Sequence, residues 1–252
     1  MRGPTLRVVV VNGSPSEPSK TMGLVDVVLD TLKDMLPIEV SRVDVYRLGA
    51  GFTGAIERDG VAPEVEDSLR LAEDADLLIA AAPVFRGTYP GMFKHFFDLV
   101  DQYALANKPV LLAATGGGDH HALVLEHAMR PLFAFFQAMT IPVAFFASAG
   151  DFDGTTLLNP RIYGRIEVGL TDVVDLLRAR ATGPGATQDH GPANSRPTHK
   201  PLALSPSASS RQKPESAGSP RGDLLLPRGV LRQRVGAAGD HLLGHGGEQP
   251  AS

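Results

Sequence analysis

Between Asn12 and Thr21 the chain reads NGSPSEPSKT, which puts Ser14, Ser16, Ser19, Lys20 and Thr21 within eight residues. Hydroxyls, an ammonium and free backbone N–H groups just ahead of a helix suit a terminal phosphate dianion. Each group can donate to its oxygens, and the helix dipole favours negative charge there. The loop is not a P-loop, because Gly13 and Lys20 are seven apart and Ser19 stands where a glycine precedes Lys-Thr. It also lacks G-x-G-x-x-G. An ordinary turn with an N-capping serine would use the same residue types. Two later loops carry further candidates. In PVFRGTYP, Pro83, Val84, Phe85 and Arg86 could flank a planar ring, or Phe85 could be core and Arg86 a solvated charge. In TGGGDHH, Thr115, Gly116, Gly117 and His121 offer backbone that a ligand can approach closely, or form only a flexible turn. A metal reading of His120, His121, Glu126 and His127 fails on spacing, since His120 and His127 lie about two helical turns, roughly 10 Å, apart.

These loops must be held by strands and helices, and the hydrophobic pattern supplies them. Strands are expected at residues 6–12, 38–45, 76–82, 109–114 and 141–147, and helices at 20–36, 64–73, 91–103, 122–138 and 160–181. The unbroken apolar runs of the first and third strands imply burial on both faces, as in a parallel sheet. Residues 46–63 read as an irregular connection, and about a dozen residues after 147 read as a loop. Five strands alternating with helices predict an open, doubly wound α/β sheet of order 2-1-3-4-5 in three α/β/α layers. In that order all three candidate loops lie at the carboxyl ends of strands and converge on one crevice at the switch point.

Composition separates this domain, expected at residues 1–181, from a tail at 182–252. All fifteen Phe and Tyr residues fall before residue 164, and Gly plus Pro make up 20 of the last 71 residues. Such a segment buries too little apolar surface to offset its ordering entropy, so the tail is expected to be disordered. Residues 1–181 hold 16 Lys/Arg against 23 Asp/Glu, an acidic balance that argues against a nucleic-acid partner. There is no Cys, so neither disulfides nor thiol catalysis is available. The strand-like start and the absence of a long apolar run predict no membrane segment and a cytoplasmic location.

Taken together, NGSPSEPSKT, APVFRGTYPGMFKHFFDLV and AATGGGDHHALVLEHAMRPLFAFF resemble three signature segments of the NAD(P)H-dependent FMN reductase family, of flavodoxin-like fold, over about residues 5–180. They look closest to reductases that supply alkanesulfonate and methanesulfonate monooxygenases. The resemblance implies FMN as ligand, NADPH or NADH as reductant, and an FMNH2-dependent monooxygenase as acceptor. It assigns Ser14, Ser16, Ser19, Lys20 and Thr21 to the FMN phosphate; Pro83, Val84, Phe85 and Arg86 to the flavin ring; and Thr115, Gly116, Gly117 and His121 to the ring edge. The apolar face of the expected helix 122–138 and its Phe-Ala-Phe-Phe end present surface that a single chain would struggle to cover, so a homodimer or homotetramer is expected. His127 looks like the position of an inserted residue that makes a π-bulge at a tetramer interface; packing as a plain helix residue at a dimer interface is the alternative. Phe93, Phe97, Leu132 and Phe136 read as core or subunit interface. Phe85 departs from the family's usual Tyr, and the tail has no counterpart. Two rivals stay open: a reductase of quinones, azo compounds or chromate with tightly bound FMN, and an electron carrier without a nicotinamide site.

Overall fold

The computed structural model describes residues 4–182; the predicted disorder of the tail beyond Thr182 lies outside them. Strand β1 (Leu6–Asn12) leads into helix α1 (Lys20–Met35), then β2 (Ile38–Asp44), the one-turn α2 (Ala50–Thr53), α3 (Pro63–Glu73) and β3 (Leu77–Pro83). The chain continues through α4 (Gly91–Leu99), β4 (Pro109–Gly116), α5 (Arg130–Phe135), β5 (Met139–Thr140) and β6 (Phe145–Ser148). A small hairpin, β7 (Phe152–Asp153) with β8 (Thr156–Leu157), precedes α6 (Pro160–Thr171) and α7 (Val174–Thr182). The sheet is parallel, in the order β2-β1-β3-β4-β5, with β6 also paired to β4.

Period-two alternation divides the core between two faces. Val9 and Val11 of β1, Leu78 and Ala80 of β3 and Leu112 of β4 pack toward α3, α4 and α5. Their neighbours Val8, Val10, Leu77, Ile79 and Leu111 pack toward α1 and α6. Both faces of the inner strands are thus covered, which gives three layers. Ser19 caps α1 from an extended conformation, its side chain accepting from the Met22 N–H, and Pro37 follows the end of the helix. Leu24, Val25, Val28 and Leu32 are wholly buried, each worth roughly 1.5–3 kcal/mol.

Three expected elements differ from their sequence reading. The fifth strand is broken. Leu111 and Leu112 alone separate the paired parts of β4, while residues 141–144 separate β5 from β6. Pro142 falls in that excess and has no N–H to give to the ladder. The expected helix 122–138 is a 3-10 turn at Asp119–Leu123, a π turn at Leu125–Met129 and then α5. Pro131 accounts for this, because its ring would clash with the carbonyl four residues back, at His127, and it cannot donate to it. The last helix divides at Asp172–Val173, among the β-branched Thr171, Val173 and Val174. No helix among the described residues is long and apolar enough to cross a membrane.

Candidate functional site

The loop after β1 is organised by side chains before any ligand enters. Asn12 is buried; its amide donates to Asp44 Oδ1 at 2.6 Å, and its own Oδ1 accepts from the Ser14 N–H at 2.9 Å. Ser19 Oγ lies 2.9 Å from Ser14 Oγ, which also accepts from the Ser16 N–H at 3.3 Å. Thr21 and Thr115 share a hydroxyl–hydroxyl hydrogen bond of 2.7 Å, tying the start of α1 to the end of β4. Both readings of this loop therefore coexist: Ser19 caps the helix, and the hydroxyls gather at its N-terminus. Among the described residues the Ser16 hydroxyl has no protein partner, so it is free to donate.

A cleft of about 550 Å³ opens over these groups. It is lined by Ser14, Ser16, Ser19, Lys20, Thr21, Pro83, Val84, Phe85, Thr115, Gly116 and Gly117, eleven of the thirteen residues expected to bind. The carboxyl ends of β1, β3 and β4 bring them together. Phe85 is 43% exposed, so it is not core.

Arg86 and His121 do not line this cleft. Arg86 sits at the tip of a tight turn in which Phe85 N–H donates to Thr88 O at 2.7 Å and Thr88 N–H to Phe85 O at 3.2 Å. Arg86 and Gly87 take φ of 52° and 91°, the two positive values of a type I′ turn. The turn aims the arginine into solvent. His121 instead packs on the Cβ side of Gly116, where a side chain would stand 2.9 Å from its Cβ and 3.0 Å from its Nδ1. That Nδ1 is buried and has no hydrogen-bond partner, and the ring lies 4.0 Å from His120. His121 supports the glycine loop from beneath, and Gly116 must be glycine to leave it room.

The sequence reading missed the far wall. Pro18, Ala149, Gly154 and Thr155 complete the cleft. Gly154-Thr155 was the available signal, a glycine-led pair that can close a two-residue hairpin between Asp153 and Thr156. Gly154 takes φ 59° at the first central position, as in a type II′ turn. Asp151 anchors the base of the hairpin. Its carboxylate accepts from the Ser148 N–H at 2.7 Å, the Ser148 hydroxyl at 2.8 Å and the Asn159 amide at 2.6 Å. Burial works against its charge, but these donors outweigh it and hold the carboxyl below its ordinary range.

A separate groove of about 780 Å³ runs along α4, the π turn and α5, lined by Tyr89, Phe97, His127, Leu132, Phe135 and Phe136. Phe93, Phe97 and Phe136 are core, and Leu132 is half-buried at the groove. His127 lies in the π turn on the exposed side. Among the described residues no three His, Cys, Asp or Glu side chains are placed to hold a metal ion.

Residues 6–153 match the family model described as NADPH-dependent FMN reductase. A protein of Pseudomonas fluorescens, "NADH-dependent FMN reductase SfnF", is 44% identical over 163 residues, covering 65% of this chain and 87% of its own. "FMN reductase (NADPH)" of Pseudomonas aeruginosa is 41% identical over 175 residues, covering 69% and 94%. Among solved structures, an oxidoreductase of Corynebacterium diphtheriae superposes with a TM-score of 0.62 at 26% identity, covering 71% of this chain and 98% of its own.

Proposed function

This chain belongs to the NADPH-dependent FMN reductase family, and from that premise we propose how its cleft serves the activity and where the reduced flavin goes. The protein is an oxidoreductase that uses NADH or NADPH to reduce FMN to FMNH2. The flavin supplies hydride acceptance at N5; the protein supplies position and electrostatics. The residues fit such a ligand. Five hydroxyl or ammonium groups gather at one end of the cleft, at the N-terminus of α1, where a phosphate is favoured. The other end is apolar and narrow-backboned, with Val84, Phe85 and the glycines, as a planar ring requires.

In our reading Ser14, Ser16, Ser19, Lys20 and Thr21 hold the phosphate, and Pro83, Val84 and Phe85 flank the ring. Backbone N–H groups at Thr115–Gly117 face the ring edge, where donors would stabilise negative charge on the reduced ring. His121 acts through Gly116, and Arg86, at the turn tip, guards the open side. No side chain is assigned a proton-transfer step. The observation that carries this reading is the meeting of eleven expected residues in one cleft at the switch point.

We further propose that FMN enters and leaves as a substrate, delivering FMNH2 to a separate monooxygenase of sulfonate-sulfur acquisition. The three loop sequences support this through their resemblance to such reductases. The protein works in the cytoplasm as a homodimer or homotetramer, in which a second copy covers the groove along α4 and α5. Anaerobic mixing with NADPH, then NADH, and a large molar excess of FMN tests the catalytic part. Many turnovers of free FMN are expected. Reduction of a single flavin per chain would overturn release and favour a bound-flavin reductase, and no nucleotide oxidation would favour an electron carrier. Light scattering tests the assembly; a monomer at micromolar concentration overturns it.

A further inference from the structure

The β7–β8 hairpin meets α1 at a point that tolerates no side chain. A Cβ at Gly23 would stand 2.0 Å from the Thr155 carbonyl oxygen, 3.2 Å from its carbonyl carbon and 3.6 Å from the Phe152 ring. The obstacle is backbone, so no rotamer change relieves it. One helical turn earlier, on the same side of α1, Lys20 Nζ donates to Ala149 O at 3.2 Å and lies 5.8 Å from the Phe152 ring centroid. The hairpin is thus fixed at three places: its tip on Gly23, its approach on Lys20 and its base on Asp151. What it contributes to the cleft is Gly154 and Thr155, which line it together with Ser14, Ser16 and Ser19. Among the described residues the Thr155 hydroxyl has no protein partner, and it is half-buried.

We infer that this hairpin is the outer wall of the phosphate pocket, that Thr155 selects phosphorylated over unphosphorylated flavin, and that Gly23 is its positioning residue. The inference rests on the flavin reading above. With the tip seated on α1, Thr155 lines the same cleft as the hydroxyl set and can add its own hydroxyl to a phosphate held there. With a side chain at position 23, the tip must lift and the pocket loses that wall. The ring end, built by Val84, Phe85 and Gly116, is untouched by such a movement. Flavins lacking the phosphate therefore do not register it.

The test titrates intact protein with FMN and with riboflavin, following flavin fluorescence, and compares wild type, Gly23→Ala, Thr155→Ala and Thr155→Ser. Wild type is expected to bind FMN at least about tenfold more tightly than riboflavin, the scale of a hydrogen bond to a charged group. Gly23→Ala should weaken FMN by about tenfold and shift riboflavin by less than about twofold. Thr155→Ala should weaken FMN alone, and Thr155→Ser should restore it. Equal losses for both flavins in Gly23→Ala would make the contact merely structural and overturn the inference. So would unchanged FMN binding in Thr155→Ala. Should Gly23→Ala fail to fold, the Thr155 pair decides. A wild type that oxidises NAD(P)H with FMN yet shows no preference over riboflavin overturns the selectivity alone, whereas no flavin reduction by wild type overturns the reading beneath it.

Discussion

At the amino-terminal end of the strands, Arg7 and Asp76 exchange four hydrogen bonds. The Arg7 N–H, Nε and Nη2 donate to the carboxylate at 2.9, 3.1 and 2.9 Å, and the Asp76 N–H donates back to Arg7 O at 2.9 Å. Lys108 Nζ donates to Ala75 O beside them. At the carboxyl-terminal end, the same strands release loops held by hydroxyl pairs, glycines and one asparagine, with an exposed phenylalanine between them. One end is tied by a charged, partly buried pair; the other is tied mostly by neutral hydrogen bonds, with an exposed ion pair between Arg47 and Glu17, and leaves the Ser16 hydroxyl uncommitted. A ligand site needs groups that can exchange partners on binding, and strong ion pairs there would compete with the ligand. The fold places the Arg7–Asp76 tie about a strand's length from the chemistry.

That division makes opposite forecasts for substitutions at the two ends. Arg7→Met takes the guanidinium from the Asp76 carboxylate, only 11% exposed, and leaves it the backbone N–H of residue 7. The cost should be about 1–3 kcal/mol, toward the lower value because Arg7 is itself 40% exposed. At about 2–4 °C per kcal/mol, a thermal melt should fall by several degrees while FMN affinity holds. Ser16→Ala should do the reverse. It removes an uncommitted donor, so FMN should bind about tenfold more weakly with the melting temperature unchanged. A Ser16→Ala variant that melts early, or an Arg7→Met variant that loses FMN, would break the separation.

The two ends also differ in how they were legible. Strand order, both buried runs and the loops after β1, β3 and β4 followed from apolar patterning and loop composition, because those signals are local. The walls contributed by Ala149 and Thr155 did not, since nothing near them in sequence names their neighbour on α1. The approach at Gly23 is a long-range coincidence, and an isolated glycine in a helix pattern has several explanations. His121 was expected at the cleft; spacing gave its loop but not the side of Gly116 on which its ring would pack. The π turn at Leu125–Met129 came from a resemblance, yet Pro131 was a local cause that could have been read directly. The broken fifth strand likewise carried its signal in Pro142.

Acid sharpens the contrast, because the firm ties are ionic. Arg58 donates to Glu66 at 2.9 and 3.0 Å and also pairs with Glu73, with Arg70 adding a bond to Glu66 at 2.7 Å. The Arg58 hydrogen bonds, against a smaller opposing effect of burial and with help from Arg70, hold the Glu66 carboxyl down to about 2. A carboxyl depressed in the folded state contributes stability above its ordinary value near 4.5, and loses it as pH falls toward 2. Glu66→Gln should therefore flatten the acid limb between those values by an amount on the order of 1 kcal/mol, reduced by solvent screening. Lys108 works in the other direction. Burial lowers it to about 8, so stability should rise as pH climbs from 8 toward 10.5, and Lys108→Met should remove that rise. Urea unfolding across pH reads both. An acid limb unchanged in Glu66→Gln would remove this network from the polar ties.

The smallest effect is expected at Arg86, on the rim of the site. Its φ of 52° is a left-handed conformation that costs a non-glycine residue about 1–2 kcal/mol. Gly87 beside it carries no such cost, and the turn needs positive φ at both positions. Arg86→Gly should relieve the strain, but the glycine also gains freedom in the unfolded chain worth about 0.4–1 kcal/mol. The net gain in stability should be below about 1 kcal/mol, a rise of a few degrees at most. If the arginine only occupies a turn, nothing else changes. If it guards the open side of the cleft, as proposed above, the KM for NADPH should rise in the same variant while FMN binding holds. A variant that is more stable and kinetically unaltered would confine Arg86 to the turn, and one that is less stable would mean that the turn draws on a contact its geometry does not reveal.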